Sequence, residues 1–230
     1  MVEERRARVV ILTAMPEERA AMWRRRFDRD VVIAATGVGA RKAARAATLL
    51  CAGYRPELIV GAGVAGALSP DLGVGDIFIA RRVLDREGAA PAPDEALVAR
   101  ATALPGTRCG ALVSVDRPLV TAAEKAGWAT TVGESPAAVD MESAAWARAA
   151  AAHGIPYVVI RAISDGAHEE LPGYLSKCMS KDGGIRRWAV ALHAIAKPET
   201  IPALRQLKRR VRDSTDRLAS FVEHFLAVKA

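Results

Sequence analysis

The chain has 230 residues, of which 51% are hydrophobic and 5% aromatic, and its formal net charge is +7 at neutral pH. That is enough apolar material for one substantial core, and no run of 18 apolar residues offers a membrane span. The excess charge sits at one end: residues 1–176 hold 21 Lys/Arg against 21 Asp/Glu, and residues 177–230 hold 12 against 5. With so few aromatics and no RNP-like motif, the composition argues against nucleic-acid binding.

Cys51, Cys109 and Cys178 are widely spaced and form no CxxC pair. They fit a reducing cytoplasm and exclude a disulfide framework or zinc knuckle. The four histidines lack any HExxH-type spacing, so neither a metal nor a cofactor is expected.

In chain order, "RVVILTA" (8–14) reads as a strand. Charges precede it, as in a signal peptide, but the apolar run is short and Pro16-Glu17-Glu18 follows at once without a small-residue cleavage site. "PEERAAMWRRRF" (16–27) reads as a helix opened by proline. "DVVIAAT" (30–36) is a strand, and Gly37-Val38-Gly39 leads into a helix ended by Gly53. "ELIVGAG" (57–63) and "GDIFIARRVL" (75–84) are strands, with a turn-rich segment between them; the signal is weakest over 85–109, where "EGAAPAPDEA" (87–96) reads as a loop. "GALVSVD" (110–116) is a strand, "SAAWARAAAAHG" (143–154) a helix, and "YVVIRAIS" (157–164) a strand ending at Asp165. This alternation predicts a three-layer αβα domain over 1–176, with a twisted, largely parallel mixed sheet covered on both faces. Residues 177–230 read as a basic helical C-terminal extension packed on the same domain.

Open α/β sheets bind ligands beyond the carboxyl ends of their strands. Glu17 and Glu18 follow the first strand, Gly37 to Gly39 the second, and Gly61 to Gly66 the third. Asp116 and Asp165 end later strands, Arg161 lies inside the last one, and Glu142 opens the helix before it. One acid at a strand end is ordinarily a cap or turn former; several on one rim point to a site.

The segments "TAMPEE", "TGVGARKAA", "GAGVAGALSPDLGVGDI", "VDMESAA" and "VIRAISD" carry a resemblance. In order and spacing they resemble the purine nucleoside phosphorylase/uridine phosphorylase superfamily, and most of all its methylthioadenosine/S-adenosylhomocysteine nucleosidase branch. "GVG" alone would not suffice, since Lys42 stands where a dinucleotide fingerprint needs its third glycine. The resemblance implies the phosphorylase/hydrolase-like fold, a small-molecule nucleoside substrate and a cytoplasmic homo-oligomer. It implies that Asp165 is a general acid at the purine N7, which has to hold its proton near neutral pH, as burial favours. Glu142 would bind the ribose hydroxyls with Met141 packed on the sugar, and Gly63, Val64, Ala65, Gly66 and Leu119 would line the rest of the substrate site. Asp140 reads as a helix N-cap pointing the other way.

Phosphorylases of this superfamily hold phosphate with an arginine after the first strand and an arginine and serine near the third. Here those positions are Glu18, Gly61 and Val64, and an acid at the first repels phosphate. The resemblance therefore implies hydrolysis, with Glu18 as base on the attacking water and Arg161 orienting that water. A phosphorylase and a non-catalytic binding relic of the fold are the alternatives. Val64 stands where methylthioadenosine nucleosidases carry serine, and the tail is longer and more basic than theirs. Those two departures resemble the hopanoid-associated nucleosidases, which act on adenosylhopane.

In the tail, Leu204, Leu207, Val211, Leu218, Val222 and Phe225 recur at three- and four-residue steps and share one helix face. Two readings remain open. The helix docks on the domain or on a second subunit, or it is a basic amphipathic element in peripheral contact with an anionic bilayer. In the second reading Leu175, Met179 and Trp188 would lie near the nucleoside 5′ position.

Overall fold

The computed structural model describes residues 7–28, 30–172 and 201–228. Among them, β1 (Val9–Thr13) lies between β2 (Val31–Ala35) and β3 (Leu58–Ala67), parallel to both. Its alternation is plain: Val10 and Leu12 enter the core on one face and Ile11 on the other. The far side of β3 pairs in parallel with β8 (Tyr157–Asp165), and β8 pairs antiparallel with β4 (Ile77–Asp85). β4 runs parallel to β6 (Thr107–Ser114) and turns back into the short β5 (Gly88–Ala89); β6 runs parallel to β7 (Ala137–Asp140). β7 then returns to β3, antiparallel at Gly66 and Ala67. Strands β3, β8, β4, β6 and β7 thus close a ring, while β1 and β2 extend from it as open sheet.

The three layers are as expected. On one face pack α2 (Ala40–Tyr54) and α5 (Ser143–Ala152), whose buried residues are mostly alanines. Small side chains let these two helices lie close together over the sheet. On the other face lie α1 (Pro16–Trp23), α3 (Glu95–Thr102) and α6 (Ile201–Ala227). A third cluster, built from Leu68, Val113, Val115, Leu119 and Val139, packs under α4 (Ala122–Val132).

The structure departs from the sequence reading in four places, the first being α2, which runs through Gly53 to Tyr54 and is capped at Arg55. Gly61 to Gly66 are not a turn after the third strand but part of β3 itself. The stretch 87–96 is a loop only in its middle: it holds β5 at one end and, past the Asp94 side-chain cap, the start of α3 at the other. Helix α4 and strand β7 also form where the sequence reading had no element. Helix α6 uses Leu218, Ala219, Val222 and Phe225 in the core, with Arg205, Lys208, Arg209 and Arg212 exposed. Burying each large apolar side chain stabilises the docked helix by roughly 1.5–3 kcal/mol, so this stretch of the face is already taken. Leu175, Met179, Trp188 and the Leu204 side chain lie outside the described residues.

Candidate active site

Glu18 occupies the third position of α1, one turn beyond β1. Its carboxylate is buried, and Oε2 accepts from the backbone N–H groups of Ala14 and Met15, both at 2.9 Å. That is half of a capping box, so the bland role of this acid is real. The other oxygen, Oε1, accepts from Val64 N–H of β3 at 3.0 Å. Burial raises the carboxyl above its ordinary range, against the pull of Arg161 and the three amides. A carboxyl so placed is a stronger base than an exposed one.

The in-strand glycines explain how the charged groups fit. A Cβ at Gly63 would collide with Arg161 Nη1 and stand 2.9 Å from Glu18 Oε1. At Gly66 it would stand 2.9 Å from Asp165 Oδ2. Absent side chains on β3 make room for acids arriving from α1 and β8.

Arg161 is fully buried over the Trp146 ring, 4.8 Å from its centroid. Its Nη2 donates to Asp140 Oδ2 and, at 2.8 Å, to Ser143 Oγ. Nε and Nη1 find no hydrogen-bond partner among the described residues. Asp140 also accepts from the Ser114 hydroxyl at 2.6 Å, the Ser143 hydroxyl at 2.5 Å and the Ser143 amide that opens α5. The N-cap of α5 is Glu142, not Asp140 as expected; Asp140 accepts from the helix's first amide and serves chiefly as the counterion of Arg161, which the sequence reading did not foresee.

Glu142, two residues on, faces the cavity instead. Its Oε1 accepts from Gly39 N–H at 2.8 Å. Burial and the neighbouring Asp140 carboxylate push its carboxyl up to about 8, against the pull of Arg161 and the Gly39 amide. The resemblance implied an acid at the ribose; here that acid is buried and raised by its surroundings.

Asp165 ends β8. Its Oδ1 accepts from the Ser164 hydroxyl at 2.6 Å and its Oδ2 from the Lys125 ammonium at 2.5 Å. The sequence reading expects a carboxyl isolated by burial; the structure sets an equally buried cation against it. Lys125 comes from the first turn of α4, whose start is marked by a Thr121–Glu124 capping box. The "TAAE" signature of that box was the one sequence signal that could have placed the lysine.

These groups converge on a cavity of about 180 Å³. Of the residues expected there, Glu18, Val64, Ala65, Gly66, Leu119, Met141, Glu142 and Asp165 line it, while Gly63 and Arg161 lie behind its wall. Asp140 reaches the lining as well, and Val38, Val115, Pro118 and Leu171 add apolar walls that the sequence reading did not name. Asp116 is exposed and pairs with Arg86 away from the cavity.

A three-layer α/β fold with this cavity at the carboxyl ends of its strands defines the class, and comparison with known proteins agrees. Residues 16–197 match the phosphorylase superfamily, and the chain belongs to it. Within it the similarity runs to the nucleosidase branch. The 5′-methylthioadenosine/S-adenosylhomocysteine nucleosidase of Shewanella halifaxensis is 30% identical over 181 residues, 67% of this chain and 76% of that protein. The enzyme of the same name from a Marinomonas species is 33% identical over 174 residues, 64% of this chain and 73% of that one. Among solved structures, a Colwellia psychrerythraea nucleosidase in complex with adenine superposes with a TM-score of 0.74 at 21% identity, covering 98% of this chain and 96% of that one. The futalosine hydrolase of Helicobacter pylori superposes with a TM-score of 0.72 at 18% identity, covering 96% and 97%. At such identities these two structures establish the fold.

Proposed function

We propose that this protein is a purine N-ribosyl hydrolase that cleaves a 5′-substituted adenosine and releases adenine. The observation that carries the reading is the seat of Glu18. Three backbone N–H groups converge on its carboxylate at the cavity wall, so the donors that an incoming phosphate would need are filled by an anion of the protein itself. Phosphorolysis is disfavoured there, and a water beside Glu18 becomes the nucleophile.

The roles follow from the chemistry of the C–N bond. As it breaks, positive charge grows on the ribose and negative charge on the purine. Asp165 passes a proton to N7, Glu18 takes one from water, and Glu142 binds the ribose hydroxyls. Arg161, whose Nη1 is buried beside Glu18 with no hydrogen-bond partner among the described residues, orients the base and its water. The named activities of the relatives support adenine release. The apolar walls at Val38, Val64, Leu119 and Leu171 support an apolar 5′ substituent, as in adenosylhopane.

The test is to incubate the purified protein with methylthioadenosine, S-adenosylhomocysteine and an adenosine carrying a long 5′-alkyl group, with and without phosphate. Free adenine and free sugar in both conditions are expected. A requirement for phosphate, with a ribose 1-phosphate product, overturns the hydrolase reading; no adenine from any substrate overturns the enzymatic one.

A further inference from the structure

The proton that Asp165 is to deliver poses a problem that its surroundings answer. Lys125 Nζ lies 2.5 Å from Asp165 Oδ2, 2.7 Å from the carbonyl oxygen of Gly166 and 3.0 Å from that of Glu169. An ammonium has three hydrogens, and here each has an acceptor. Three acceptors for three hydrogens match an ammonium paired with a carboxylate, the state in which the lysine holds the proton. An aspartate in that state has nothing of its own to give to a purine.

The lysine also stands against local electrostatics. Its side chain is 1% exposed, and it sits in the first turn of α4, where the helix dipole disfavours a cation. It does not line the cavity; Asp165 stands between it and the open space. A buried cation whose one carboxylate contact among the described residues is the candidate acid, with that acid between it and the cavity, is placed to supply it.

We propose that Lys125 is a positioning residue that stores the proton for purine departure, Asp165 acting as its relay. This rests on the reading of Asp165 as the group that protonates the purine. As the bond between ribose and base breaks, its electron pair goes to the purine. One Nζ–H proton passes to Asp165, and the carboxyl proton passes to the purine nitrogen. The lysine is left as a neutral amine with two N–H groups for the carbonyls of Gly166 and Glu169, so no bond to them is lost. Water adds its oxygen to the sugar and gives its proton to Glu18. When the products leave, exchange with solvent returns Glu18 to carboxylate and Lys125 to ammonium.

A purely structural clamp on the loop after β8 makes a different prediction from a proton store, and the leaving group separates them. Adenine must be protonated to leave; 4-nitrophenolate need not be. Wild type, Lys125→Met and Lys125→Arg are compared on methylthioadenosine and on 4-nitrophenyl β-D-ribofuranoside, with thermal melts to identify the folded variants. Lys125→Met is expected to lower kcat for adenine release by about 10²-fold or more while nitrophenolate release stays within about threefold of wild type. Arginine keeps the charge and the donors but does not surrender a proton at any working pH, so Lys125→Arg is expected to show the same split. It carries the test if the methionine variant does not fold. Equal losses on both substrates, or full adenine release by the arginine variant, overturn the proposal. If the wild type rejects the nitrophenyl riboside, adenine release by Lys125→Arg decides: loss supports the proton store, recovery refutes it. A wild type that releases adenine from no nucleoside refutes the hydrolase reading instead.

Discussion

Replacing Asp140 by asparagine keeps the shape of the side chain and removes the charge that balances Arg161. Both groups are essentially inaccessible, at 1% and 0% side-chain exposure, so solvent screening offers little relief. Asparagine still offers one acceptor to the Ser114 and Ser143 hydroxyls. It does not offset a guanidinium that already has two nitrogens without a hydrogen-bond partner among the described residues. Breaking a buried pair by removing one partner costs about 3–5 kcal/mol. For a chain of this size each kcal/mol lowers Tm by roughly 2–4 °C, so a drop of about 6–20 °C is expected. Removing the Asp140 charge also removes the second cause that raises Glu142, whose carboxyl comes down from about 8. Thermal melts followed by circular dichroism measure the loss. A double variant, Asp140→Asn with Arg161→Met, should be less destabilised than the sum of the single variants, by about 0.5–3 kcal/mol. A Tm change of no more than about 2 °C for Asp140→Asn, or strict additivity in the double variant, would refute the buried-pair account.

Glu142→Gln is expected to weaken nucleosides with ribose hydroxyls and to flatten the pH dependence of stability. The folded carboxyl, at about 8, lies above its ordinary 4.5, so its contribution is fully present below about pH 4.5 and fades as pH rises through 8. That decline is at most about 1.4 kcal/mol per pH unit, and urea midpoints across the range that fall as steeply in the variant as in wild type would sink the assignment. Glu18→Gln is expected to lower turnover by about 10²–10⁴ while leaving a nucleoside inhibitor bound, as read from kcat beside the inhibitor Kd. Gly63→Ala should destabilise by at least about 1–3 kcal/mol, because its methyl has to displace the Arg161 guanidinium. Gly53→Ala in α2, where nothing lies within 4 Å, should instead stabilise slightly, and similar melts for the two would refute the packing argument.

Much of the architecture was legible because it rests on local periodicity. The strands at 8–14, 30–36 and 157–164 and the helices opened by Pro16 and Ser143 follow from alternation, caps and glycine stops, each confined to a few neighbouring residues. The acids Glu18, Glu142 and Asp165 could be singled out because they follow strands or open a helix on the rim where glycine-rich segments also fall, and they do meet at one cavity. Where a glycine-rich stretch stays in the strand, as Gly61 to Gly66 do, local rules mislead: the reason for the glycines is a side chain arriving from elsewhere in the chain. Ring closure by β7 onto β3 joins residues some 70 positions apart, and no local pattern encodes that pairing. The same holds for the charges. Whether Asp140 caps a helix or neutralises Arg161, and whether Asp165 stands alone or against Lys125, depends on which distant side chain shares its burial. A sequence shows which groups can ionise; only the fold sets their neighbours and their access to water, and those two together decide their chemistry.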